Sequence, residues 1–285
     1  METTIQNKNV FQRLVKHPIT IIIMSTLLIL IATVIVKELI TKPLLGVITT
    51  SEVLIKTCTA LIGGAVMIGA YKILVTYYEK NRFTEFSLQF GLKESVLGLL
   101  IGLGSMSAVV LLLYFLGYYE LVAFKSVLEF LPTIAFILGA AILEEIIFRG
   151  LVFRIMEQWK GPIVALIVSS LIFQLPHFMN SHTGFLPGLL GVLYGLVVAL
   201  MYADTRRLWL PIAFHFGWNI AQPVLGTTLS GVSEFTTLTE TRLEGPELIV
   251  GSGFGVEVSI FSFMVLVILG VYYVKRLNGK NYFGS

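Results

Sequence analysis

The chain has 285 residues and a net charge of +3, and it is 56% hydrophobic but only 13% charged. A soluble domain carries about 25% charged residues, so a water-facing globule is excluded and a bilayer is the expected solvent. The dispersed basic residues leave nucleic-acid binding without support, and a single Cys58 offers neither a disulfide framework nor a cysteine cluster for a metal.

Residues 1–17 form a short basic leader before an uncharged run, 19–36, of 18 residues. That run exceeds the roughly 7–15 residues of a signal-peptide core, so it reads as an uncleaved first span near 19–40. The second span is expected near 54–78, with Lys56 and Lys72 close enough to its ends to snorkel. The third is the uncharged stretch 95–119. Ahead of it, Phe83, Phe86 and Phe90 recur at spacings of three and four. This fits either an interfacial helix or the start of the third span. The fourth span, near 127–153, is interrupted by Glu144, Glu145 and Arg149. The 43 residues 161–203 contain no Asp, Glu, Lys or Arg and fit two spans joined near 178–183. The seventh lies near 208–225 and the eighth near 258–274. The predicted fold is an all-α polytopic membrane bundle of about eight transmembrane helices, one integral membrane domain over 1–285.

Loop charges support that count. Lys8, Arg13 and Lys16, then Lys80, Arg82 and Lys93, Arg154 and Lys160, Arg206 and Arg207, and finally Lys275, Arg276 and Lys280 all fall on one side. The opposite stretch 230–257 holds five Glu and one Arg. The positive-inside rule then places both termini in the cytoplasm.

An ionised side chain near the bilayer centre costs about 2.5–3.5 kcal/mol on insertion scales, so Glu144 and Glu145 are functional candidates. Glu145 and Arg149 are four apart with the acid first, the favourable order for a helical ion pair. Glu144 points about 100° away, toward the bundle interior. The alternative is that both acids only brace neighbouring helices. Of the four histidines, His17 flanks the first span and His182 falls in a loop, whereas His177 and His215 lie in apolar segments. If the chain turns near Lys160, then Glu144 and His177, each 16 residues from the turn at 160–161, reach a similar depth. Pro176 disturbs the helix beside His177. His215 and Asn219, four apart, share a helix face that should look inward, for catalysis or for packing alone.

Glu144-Glu145-x-x-x-Arg149, Phe173-x-x-x-His177 and His215-x-x-x-Asn219 stand in this order. Together they resemble the CPBP family, the CAAX-protease and bacteriocin-processing (Abi) intramembrane peptidases, with a catalytic core at about 124–225. Gly253-Phe254-Gly255-Val256-Glu257 is similar to a glycine-rich segment of many bacterial members, with Val256 in place of a proline, and its role is open. The resemblance implies an eight-helix fold around a cavity in the bilayer. It implies an endopeptidase in which Glu144 with His177 activates a water and His215 with Asn219 stabilises the oxyanion. Glu145, Arg149 and Phe173 would support them. The substrate would be a peptide precursor or a prenylated CAAX-type protein, in what reads as a bacterial plasma membrane. A zinc held by Glu144, His177 and His215 is an open alternative to a metal-free, glutamate-activated water. A non-catalytic scaffold or immunity protein on the same fold is a second reading. A proton-coupled transporter is a third, and no inverted repeat supports it. Oligomeric state is not legible.

Overall fold

The computed structural model describes residues 16–232 and 235–284 of the protein. The leader with Lys8 and Arg13, and Glu234 of the acidic loop, lie outside them. The described chain is a helical bundle in which seven helices are long and apolar enough to cross a bilayer. They are α1 (Pro18–Ile48), α2 (Glu52–Tyr78), α3 (Leu88–Phe115), α4 (Val127–Lys160), α5 (Pro162–Met179), α6 (Phe185–Thr205) and, last in the chain, α8 (Ile260–Asn278). The expected seventh span is α7, Trp209–Val224, with 16 residues. At about 1.5 Å per residue α7 is some 24 Å long, shorter than a hydrocarbon core of about 30 Å. It can be short because most of it is buried. It packs chiefly on α3, and also on α4 and α6, so its ends meet protein rather than lipid.

Local chemistry sets the helix boundaries. Ser51, Ser126 and Ser259 cap α2, α4 and α8 by accepting backbone N–H groups of the first turn. The turn between α4 and α5 falls at Gly161, whose φ of +85° needs no Cβ, and Pro162 opens the next helix. Pro176 ends the regular part of α5 and leaves a 3-10 turn, Pro176–Met179, that carries His177. Three stretches wind as π-helix, Ile35–Thr41, Leu74–Tyr78 and Ile146–Phe153. The last follows Glu145 directly.

Glycines allow the central helix to be gripped tightly. A Cβ at Gly102 would lie 2.3 Å from the Phe214 carbonyl oxygen, and one at Gly98 would lie 2.5 Å from that of Leu210. From the other side, a Cβ at Gly217 would lie 2.8 Å from the Leu99 carbonyl oxygen. Small residues four apart let two membrane helices bring their backbones together. Gly102→Ala should therefore force α3 off α7 at a cost of about 1–3 kcal/mol, read as a lower melting temperature in detergent. Gly104→Ala is the control, because a Cβ there meets nothing within 4 Å. Equal melting temperatures for the two variants would contradict this packing account.

The expected all-α bundle is what the described residues form, with one small two-stranded sheet added to it. Strands β1 (Tyr119–Phe124) and β2 (Thr239–Leu243) pair antiparallel at the end of the bundle opposite the basic loops. Chain leaving α3 and chain following α7 lie side by side there, and ladder bonds satisfy their backbones. One expectation needs correction: 82–93 forms neither an interfacial helix nor a full start to the third span. Residues 80–87 are irregular and α3 begins at Leu88. Phe83 and Phe86 stack on each other at 5.5 Å and meet Tyr71 edge-on. The irregular path lets Glu85 turn inward to Tyr71 and Arg154, which a continuous helix would not allow.

Candidate active site

The site forms where α4, α5, α6 and α7 meet. On α4, Glu145 and Arg149 are wholly buried and pair at 2.9 Å, as their spacing predicts. Arg149 also donates to the Gly195 carbonyl of α6 at 3.0 Å, and its guanidinium lies 4.6 Å from the Phe173 ring centre. A buried charge is tolerated only when paired and hydrogen-bonded, and this arrangement supplies both. Gly195 lets α6 approach α5 closely, since a Cβ there would lie 3.1 Å from the Ser170 Cα.

His215 of α7 stands between the two acids. Its Nδ1 is 2.8 Å from Glu145 Oε1, and its Nε2 is 3.9 Å from Glu144 Oε2. An ionised carboxylate only accepts, so the proton at the shorter contact sits on Nδ1. The longer distance exceeds a direct hydrogen bond. Glu144 Oε2 is buried and makes no hydrogen bond among the described residues, although the side chain as a whole is 26% exposed. Glu144 is therefore reachable, whereas Glu145 is sealed.

His177, His215 and Asn219 line one cavity together with Phe173 and Tyr194. Its volume is about 30 Å³, room for a water molecule. The motif residues from α5 and α7 thus converge, as the sequence predicts. His177 Nδ1 lies 3.2 Å from the Phe173 carbonyl oxygen one turn earlier, which orients the ring. Phe173 packs against His177, Tyr194 and His215 at 5.1, 5.7 and 6.0 Å between ring centres. The side chain of Asn219 makes no hydrogen bond among the described residues and is partly exposed at the cavity.

The expected pairing of Glu144 with His177 is not a contact here. The imidazole facing Glu144 is that of His215, because α4 packs on α7 while His177 sits on the turn that ends α5. Zinc liganded by Glu144, His177 and His215 is likewise not supported. Among the described residues no three His, Cys, Asp or Glu side chains come together as a ligand set.

Residues 126–221 match the family described as type II CAAX prenyl endopeptidase Rce1-like. This segment is similar to that family. The resemblance to the CPBP family read from the three motifs therefore holds over the helices that build the site. A 78-residue stretch is 37% identical to a Bacillus subtilis (strain 168) protein named "Putative membrane peptidase YdiL". That match covers 27% of this chain and 30% of the relative, so less than a third of the relative's length is spanned. No solved structure matches the chain.

The cavity has further walls outside the three motifs: Gln174, Tyr194, Trp218, Ser230, Phe254 and Glu257. Gln174 Nε2, the Tyr194 hydroxyl and Trp218 Nε1 are buried donors with no partner among the described residues. Gln174 was findable as a lone amide in an apolar segment, a costly residue in lipid unless it bonds. Tyr194 and Trp218 gave no such signal, since aromatic residues are common in any span. Glu257 and Phe254 arrive because the loop after α7 folds back over the bundle. Gly231 N–H donates to the Phe254 carbonyl at 2.6 Å, and Asn180 donates to the Ser230 carbonyl at 2.8 Å.

Proposed function

We propose that the protein is an intramembrane endopeptidase whose base is Glu144. One observation carries this reading. A water-sized cavity inside the bundle is lined by His177, His215 and Asn219, and His215 faces the unpartnered Glu144 oxygen at 3.9 Å. Amide hydrolysis needs a base for the attacking water and donors aimed at the oxygen that becomes negative.

In this scheme Glu144 removes a proton from water as the oxygen attacks the scissile carbonyl carbon, and His177, from the cavity wall, helps to hold that water. The carbonyl π pair moves onto oxygen, which the Asn219 amide and His215 Nε2 stabilise. His215 donates there only as the imidazolium, since Nδ1–H is already directed at Glu145. Collapse of the tetrahedral intermediate expels the amine, which takes the proton that Glu144 accepted. Glu145 and Arg149 fix the His215 ring. The substrate is a peptide precursor or a prenylated CAAX-type protein segment, and the setting is a bacterial plasma membrane.

The test is peptide cleavage by purified protein in liposomes, scored by mass spectrometry. Asn219→Ala should lower kcat by about 100–1,000-fold with little change in KM, the usual loss for one oxyanion donor. Its melting temperature should match that of wild type, because Asn219 holds nothing else in place. His177→Ala should also cut slowly. Normal kcat in both variants would remove the catalytic assignment and favour the scaffold reading.

A further inference from the structure

Four glutamates are buried among the described residues: Glu85, Glu94, Glu145 and Glu257. Three have an arginine. Glu85 lies 3.7 Å from Arg154, Glu94 is bound by Arg207, and Glu145 by Arg149. Glu257, 4% exposed, has no cationic partner among the described residues. Its carboxylate accepts from Gln222 Nε2 at 2.9 Å and from Ser230 Oγ at 2.7 Å, both neutral donors. Those bonds aim the group and suit its ionised form, but they do not neutralise its charge. Gln222 adds a second buried acceptor, Oε1, without a partner.

Glu257 also lines the cavity that His177, His215 and Asn219 share. Its walls carry the unpartnered donors of Gln174, Tyr194 and Trp218 together with the Glu257 carboxylate. An uncompensated carboxylate would oppose an oxyanion beside it, so it does not belong to the machinery that stabilises the carbonyl oxygen. A buried carboxylate with neutral contacts and no cation either takes a proton or meets a cation, and the cavity beside Glu257 gives a substrate cation access to it. Both Glu257 oxygens already accept a bond, so the group offers a point charge and not a free two-oxygen edge, which suits an ammonium better than the N–H fork of a guanidinium.

We infer that Glu257 is a substrate-specificity residue that binds an ammonium group of the peptide next to the scissile bond. This inference rests on the peptidase reading for its position beside a cleaved bond, but not for the cation site itself. The ammonium comes either from a lysine side chain or from a free amino terminus.

The test uses a synthetic peptide library in which Lys, Arg or norleucine is walked through every position, each member with a free or acetylated amino terminus. Wild-type protein in liposomes should cut at least tenfold faster when one fixed position holds Lys rather than norleucine, or when one end carries a free amine. Acetylation tells the two sources apart, and Arg should be weaker than Lys. Glu257→Gln should lose the preference, cutting Lys and norleucine peptides at rates equal to each other, while Glu257→Asp should keep part of it. Equal cutting of Lys and norleucine peptides with no effect of acetylation, or an undiminished preference in Glu257→Gln, overturns the inference. Binding is read separately with n-butylammonium against n-butanol, as the rise in melting temperature of the Glu144→Gln protein. Stabilisation by butylammonium that Glu257→Gln abolishes, with no peptide cut by wild type, would sink the peptidase reading and keep the cation site. Stabilisation equal to that by butanol would sink the site whether or not peptides are cut.

Discussion

Glu144→Gln is expected to abolish peptide cleavage while the protein keeps its melting temperature. A positioned general base contributes about 100–10,000-fold, and glutamine cannot take a proton from water. The fold should not notice the change. Glu144 makes no hydrogen bond among the described residues, its side chain is 26% exposed, and glutamine has the same shape. The measurement is single-turnover cleavage in liposomes beside thermal unfolding of the same preparation. Cleavage at a wild-type rate would remove Glu144 as base. Loss of cleavage together with a large drop in melting temperature would instead make it a structural brace.

Arg149→Ala is expected to do the opposite, lowering stability first and activity as a consequence. It strips Glu145 of its buried partner and leaves the Gly195 carbonyl and the Phe173 ring without the guanidinium. Removing one member of a buried pair typically costs about 3–5 kcal/mol, because the other charge is left uncompensated. Replacing both members with Met should recover much of the lost melting temperature, since a packed apolar pair avoids the cost of burying charge. Cleavage should nevertheless stay at least tenfold down, because His215 would lose the acceptor that fixes its Nδ1 proton. A double variant that recovered full activity would show that Glu145 only balances Arg149 and does not position His215.

The sequence showed these features to different degrees, for physical reasons. Charges inside apolar runs are expensive, so Glu144, Glu145, Arg149 and the turn at Gly161 could be placed by counting and by helical phase. Such counting assumes straight, full-length spans. The short, mostly buried α7 and the π-helical stretch of α4 break that assumption, and neither has a signature in composition. His177 was matched to Glu144 by depth and by the family resemblance. Azimuth decides contact, and it depends on which helices pack together. The loop after α7 was the least legible part. Its segment 253–257 resembled a glycine-rich stretch of the family without a readable role, and only folding shows Glu257 returning to the interior.

The π-helical stretch Ile146–Phe153 acts as a phase shifter within α4. A π turn takes up an extra residue, so the rod before it and the rod after it need not share one rotational setting. The half with Glu144 and Glu145 answers to His215 on α7. The half that begins at Arg154 answers to Glu79 at the end of α2, which it grips through two bonds of 2.7 and 2.8 Å. Winding the same eight residues as ordinary helix would swing one half by about 100° against the other. Either the acids would leave α7 or Arg154 would let go of α2. The wide winding of these eight positions therefore lets one rod serve both neighbours at once.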